Sequence, residues 1–177
     1  PGNNGGDTWA LARLLLNEGY GNIKIFYLNT GKFSNDCETN KKRLENLKPD
    51  IIHKIESEND FPIIPNNCVI IDGLFGSGLK RPLENLPAQL VNYINNTKSK
   101  IISIDIPSGL FGEDNLNNNL NNIIKATWTL TFQFPKLSFF FAENEVYTGK
   151  WIILDIGLHK DIIDNTQTNY YFIEKDD

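Results

Sequence analysis

The sequence predicts a three-layer α/β fold on a mostly parallel sheet. Two observations carry this prediction. Segments of helical spacing alternate with short strand-like runs along the chain, the pattern of βα units. The run at 68–71 is continuously apolar rather than alternating, and 101–104 is a second buried-type strand, as in strands covered on both faces. Both runs lead directly into an aspartate, Asp72 and Asp105. In an open parallel sheet that places carboxylates at the strand ends where ligands bind.

Residues 1–7 read P-G-N-N-G-G-D, a strong loop signal. Residues 8–18 have helical composition, with Asp7 as the expected N-cap and Gly19 and Gly21 ending the helix. Residues 23–28 are β-rich and bounded by turn residues, which predicts a strand. Residues 36–47 are helical, with Leu44 and Leu47 on one face, and 51–55 read equally as a short strand or a helix end. The buried-type strand at 68–71 follows, then a helix over 83–94 carrying Leu86, Leu90, Val91 and Ile94. After the strand at 101–104 comes an asparagine-rich stretch, 114–122, expected to be a surface loop. Residues 127–132 and 151–154 are further strands. Beyond Gly157 the chain turns polar, and 175–177 reads as the start of a linker. No boundary or repeat divides 1–177, which is taken as one domain.

A chain of 177 residues, 40% hydrophobic and 22% charged, has the composition of an ordinary globular domain able to bury a core. The formal net charge of -5 argues against duplex nucleic acid as a partner. A small phosphorylated ligand remains compatible, because one helix N-terminus can hold a phosphate. Cys37 and Cys68 are the only cysteines and His53 and His159 the only histidines, so a zinc site or disulfide framework is not expected. Two isolated thiols fit a reducing compartment, and a cytoplasmic location is expected. The longest apolar runs, 14–16 and 139–141, are too short to span a bilayer, and no signal peptide is visible. The chain starts at Pro1 and contains no methionine, which reads as a piece of a longer protein.

Three segments carry the chemistry. The first, Gly2-Asn-Asn-Gly-Gly-Asp7, opens a helix and suits a phosphate, since glycines admit close approach and free N–H groups point at the ligand; a plain tight turn would look the same. The second, Asp72-Gly-Leu-Phe-Gly-Ser-Gly-Leu79, has P-loop spacing between Gly73 and Gly78. It is not a P-loop, because Leu79 stands where the lysine is required and Lys80 where a hydroxyl is needed. The third is Asp105-Ile-Pro-Ser-Gly109. Pro107 directly before Ser108 breaks the nucleophile-elbow pattern, so Ser108 reads as a hydroxyl ligand or cap rather than a nucleophile. Asp105 is either a proton-shuttling carboxylate or the cap of the following turn. Lys136, after Phe134-Pro135, could supply a cation; a solvated surface lysine is the alternative. An ordinary NAD oxidoreductase predicts an acidic residue about 20 residues beyond the glycine loop, at the end of the second strand. Here that strand ends Tyr27-Leu28-Asn29.

With these segments in place, the sequence resembles the YjeF N-terminal domain family, the NAD(P)H-hydrate epimerases. The matching pieces are Gly2-Asn-Asn-Gly-Gly-Asp7, Val69-Ile-Ile-Asp-Gly-Leu-Phe-Gly-Ser-Gly-Leu79, Ser103-Ile-Asp-Ile-Pro-Ser-Gly109, Thr129-Leu-Thr-Phe132 with Pro135-Lys136, and Asp155-Ile-Gly157, in family order over nearly the whole chain. The resemblance implies a Rossmann-like fold and an isomerase that interconverts the R and S forms of NADHX and NADPHX, nicotinamide nucleotides hydrated at C6. It implies substrate contacts from Asn3, Asn4, Gly5, Gly6 and Asp7, from Gly76, Ser77, Gly78, Leu79 and Lys80, and from Asp105. It also implies a potassium ion on Asn4, Asp72 and Ser108. Oxygen ligands suit such a hard cation. Asp105 is the expected general acid–base. The expected partners are a homo-oligomeric copy and an ADP- or ATP-dependent dehydratase, fused or separate. A rival reading is a non-catalytic scaffold of the same domain type, which has little reason to keep Asn4, Asp72, Asp105 and Ser108 together. One departure stands out: Thr8 occupies a position where the family often has glycine. The segments expected before Pro1, a strand and a helix among them, are absent from the sequence.

Overall fold

The structure, a computed structural model, describes residues 2–29, 31–171 and 173. Pro1 and the polar tail 175–177 lie outside the described residues.

Helix α1 (Asn3–Asn17) starts inside the glycine segment, with Gly2 and not Asp7 at its N-cap. Glycine disfavours a helical turn, but here it lets two helices meet. A Cβ on Gly6 would stand 3.3 Å from the Cys37 backbone, which belongs to α2 (Asn35–Leu47). Close packing of α1 on α2 overrides the local preference for a loop. At the other end, the Gly19 N–H donates to Leu16 O at 3.1 Å and the Tyr20 N–H to Leu15 O at 3.0 Å, closing the helix.

Strand β1 (Ile25–Leu28) is followed by α2, which Ser34 caps by accepting from the Cys37 N–H, with Asp36 and Glu38 favourably placed in its first turn. A 3-10 turn, Pro49–Ile51, then leads into β2 (Ile52–Ile55), so the ambiguous segment is a strand. β1 and β2 pair in parallel.

The remaining strands, β3 (Val69–Asp72), β4 (Lys100–Ile104), β5 (Trp128–Phe132) and β6 (Lys150–Leu154), form a second parallel sheet in that spatial order. Among the described residues no strand pairing joins β1 to β3. A small, partly open pocket lies between them, lined by Trp9, Phe26, Leu28, Ile71, Leu74 and Phe75 among others. Every pairing is parallel, as expected, but the sheet is divided.

Helix–strand alternation is also incomplete. α3 (Asn85–Asn95) links β3 to β4, whereas β2 reaches β3 through one 3-10 turn, Glu58–Asp60. β4 reaches β5 through the asparagine-rich loop and its 3-10 turn Leu120–Asn122. Side-chain amides order that loop. Asn115 brackets Phe111 by accepting from its N–H and donating to its carbonyl, Asn118 donates to Gly109 O, and Asn122 donates to Leu83 O. α4 (Glu145–Thr148) precedes β6, and α5 (Lys160–Asn165) follows it.

Three layers are explicit at β1. Ile25 and Tyr27 pack into the core of α1 and α2 with Trp9, Cys37 and Leu44, while Phe26 and Leu28 face the opposite core with Leu90, Val91 and Ile94 of α3. A third cluster, with Ile106, Leu110, Ile123 and Phe139, lies under the β4–β5 connection. At the far edge Ile152 and Leu154, in register with Leu130 and Phe132, are exposed.

Candidate active site

The site is built at the carboxyl ends of β3, β4 and β5, against the first turn of α1. Asp72 closes β3 and is 2% exposed. Ser103 lies beside it on β4 and donates to Oδ2 at 2.7 Å. The Ser108 N–H donates to the same oxygen at 2.9 Å, and Ser108 Oγ donates to Oδ1 at 2.5 Å. The Leu74 N–H reaches Oδ1 at 3.4 Å. Burial pushes the Asp72 carboxyl above the usual carboxylate range, and the bonds from Ser108 and Ser103 pull it back.

Asn4 joins this group from α1. Its Nδ2 donates to Phe75 O at 3.0 Å, while the Phe75 N–H donates to Ser108 Oγ at 2.9 Å. One loop peptide thus ties Asn4 to Ser108. Asn4 Oδ1 is buried and makes no hydrogen bond. Gly76 packs on Asn4; a Cβ there would stand 3.0 Å from the Asn4 Cβ. The donor set of Asn4, Ser108 and Asp72 is all oxygen with a single carboxylate, and the orphaned Asn4 oxygen is an acceptor in want of a partner. That suits a hard monovalent cation. Among the described residues, no group of three His, Cys, Asp or Glu side chains comes together.

Thr8 has a structural role. Its hydroxyl donates to Asn4 O at 2.9 Å and presses on Gly73, where any Cβ would collide with Thr8 Oγ1.

Asp105 follows β4 in a three-residue turn closed by the Ile106 N–H to Ile104 O at 2.8 Å, with φ at 65°. A left-handed aspartate in such a turn stores strain that the surroundings must hold. They do so through Leu130 O, which accepts from the Asp105 N–H at 2.7 Å. Three donors also meet Oδ1: Lys136 Nζ at 2.7 Å, the Phe132 N–H at 3.2 Å and Thr131 Oγ1 at 3.5 Å. Asp7 approaches from α1. One side of it is open to solvent, yet the packing around its carboxyl and the negative charge of Asp105 raise its pKa.

The structure therefore brings Asn4, Asp72 and Ser108 together, and sets Asp7 near Asp105. Asn3, at the start of α1, and Ser77, Gly78 and Lys80, in the loop after β3, are exposed. Leu79 packs its side chain onto the α3 core, which leaves only its backbone to face a ligand. With α1 beginning at Asn3, the unpaired N–H groups of its first turn fall within the glycine segment itself rather than after Asp7. Lys136 is no solvated surface lysine, since its side chain is 19% exposed and paired with Asp105. Sequence reasoning overlooked Ser103 and Thr131. For Ser103 the signal was a hydroxyl inside an otherwise apolar strand.

The family described as "YjeF-related protein N-terminus" matches residues 1–138. A bifunctional NAD(P)H-hydrate repair enzyme Nnr from Dictyoglomus turgidum is 35% identical over 98% of this chain and 33% of its own length. An NAD(P)H-hydrate epimerase from Lentilactobacillus buchneri is 33% identical over 90% of this chain and 70% of its own. The chain spans about a third of the bifunctional relatives it matches. The crystal structure of yeast ynu0, YNL200c, superimposes with a TM-score of 0.70 at 22% identity, covering 99% of this chain and 72% of that one, which places the fold. With a family match over residues 1–138 and relatives aligned along nearly its whole length, the chain belongs to the YjeF-related protein N-terminus family.

Proposed function

We propose that this chain is the epimerase domain of an NAD(P)H-hydrate repair enzyme, an isomerase acting on the R and S forms of NADHX and NADPHX. The observation that carries this reading is Asp105: a strained, partly buried carboxylate held by Lys136 and approached by Asp7 from the first turns of α1. The names of the relatives supply the reaction.

The first turn of α1 offers free N–H groups to the nucleotide phosphates, and the 76–80 loop flanks them. Asp105 gives a proton to the C6 hydroxyl. The C–O bond breaks, water leaves, and the ring nitrogen lone pair stabilises the resulting iminium. Water then adds to the other face of C6 and its proton returns to Asp105. Asn4, Asp72 and Ser108 would hold a potassium ion, whose charge would steady the loops and the phosphate. The proposal extends to a cytoplasmic setting, a homo-oligomer, and a dehydratase, fused or separate, that consumes the S form.

The test follows R-to-S conversion by chromatography on the full-length parent and on Asp105→Asn. Loss of about 100-fold or more in turnover is expected. Near-normal turnover in a folded variant would remove Asp105 from the mechanism, and an inactive parent would overturn the function.

A further inference from the structure

Resting on that function, we infer that Lys136 is the positioning residue of the reaction: its ammonium fixes Oδ1 of Asp105 and leaves Oδ2 as the oxygen that exchanges the proton with substrate. All hydrogen bonds to the Asp105 carboxylate fall on Oδ1, from Lys136, Phe132 and Thr131. None reaches Oδ2 among the described residues. The Asp105 side chain is 14% exposed, so its direction is set by these contacts rather than by solvent.

Lys136 is anchored for this task. Pro135 precedes it, and its Nζ also donates to Phe134 O at 3.4 Å. The turn that carries it is strained in the same way as that of Asp105. Gln133 has φ at 58°, and the Phe134 N–H donates to Phe132 O at 2.7 Å. Two matching turns, at the ends of neighbouring strands β4 and β5, thus point a carboxylate and an ammonium at each other. The other charged group brought to this carboxylate is Asp7, of opposite effect.

The consequence is chemical. As Oδ2 passes its proton to the departing hydroxyl, negative charge develops on the Asp105 carboxylate. Lys136 stabilises that charge more than it stabilises the protonated acid, so its contribution is larger in the transition state than in the ground state. Its loss should therefore lower kcat and leave KM nearly unchanged.

The test compares the full-length parent with Lys136→Met, Lys136→Arg and Lys136→Ala, each checked for an unchanged urea midpoint. Lys136→Met is expected to lose about 10- to 100-fold in kcat, the worth of one hydrogen bond to a charged group, with KM within about twofold. Lys136→Arg should recover most of the loss, and added ethylammonium should partly restore Lys136→Ala. Should Lys136→Met prove misfolded, Lys136→Arg and amine rescue carry the result. A folded Lys136→Met with parental kcat overturns the inference, as does a loss confined to KM or the absence of amine rescue. A parent without epimerase activity overturns the proposed function, and this inference with it.

Discussion

Replacing Ser108 with alanine should cost far more stability than replacing Ser103, although both serines are fully buried and both donate to Asp72. Ser103→Ala removes one donor from Oδ2, and the Ser108 N–H still serves that oxygen at 2.9 Å. Ser108→Ala removes the short bond to Oδ1, leaving it only the Leu74 N–H at 3.4 Å. It also takes away the acceptor of the Phe75 N–H, a 2.9 Å bond. A lost hydrogen bond to a charged acceptor is worth about 1.5–3 kcal/mol and an orphaned buried N–H about 1–3 kcal/mol. Since burial raises the Asp72 pKa, the lower end of the first range applies, giving roughly 3 kcal/mol for Ser108→Ala against about 1 to 1.5 kcal/mol for Ser103→Ala. With a urea m-value of about 2 kcal/mol/M, the midpoint shifts are about 1.5 M and 0.6 M. Urea unfolding followed by tryptophan fluorescence measures both. Equal shifts, or a larger one for Ser103→Ala, would refute the assignment of Ser108 as the hub that joins Asp72 to the Phe75 peptide.

Gly73→Ala should destabilise by about 1–3 kcal/mol through overpacking; the loss should shrink in a Thr8→Ala background, since the clash is with the Thr8 hydroxyl, and a double-mutant cycle in urea reads the coupling. Potassium should stabilise the chain, by about 2.7 kcal/mol at 100-fold over its dissociation constant, whereas sodium at equal ionic strength should do less and Asn4→Ala should abolish the effect. A thiol reagent near neutral pH should label Cys68 and spare Cys37, because Cys37 is buried and burial pushes its thiol up; both should react in urea, counted by mass.

Much of the fold was legible because parallel strands announce themselves locally. The runs before Asp72 and Asp105 needed only their apolar character and the turn residues after them. The 51–55 segment stayed ambiguous because five residues hold neither period long enough to separate them. The start of α1 was misplaced for a different reason. Local propensity reads Gly5 and Gly6 as a loop, and only the backbone of α2 lying against them makes a helical turn worth its entropy. Lys136 was undervalued in the same way: a lone lysine after a proline carries no sign of the carboxylate it will meet.

By itself the sequence determined which strands lie between two layers and which oxygen-bearing residues follow their ends. These follow from residue type and from neighbours along the chain. Tertiary structure decided the rest: that Asn4 joins Asp72 and Ser108 through the Phe75 peptide, that Thr8 presses on Gly73, that the sheet divides between β1 and β3, and that Lys136 reaches Asp105. Each depends on close approach between segments far apart in sequence, and burial and hydrogen bonding act on that distance rather than on separation along the chain.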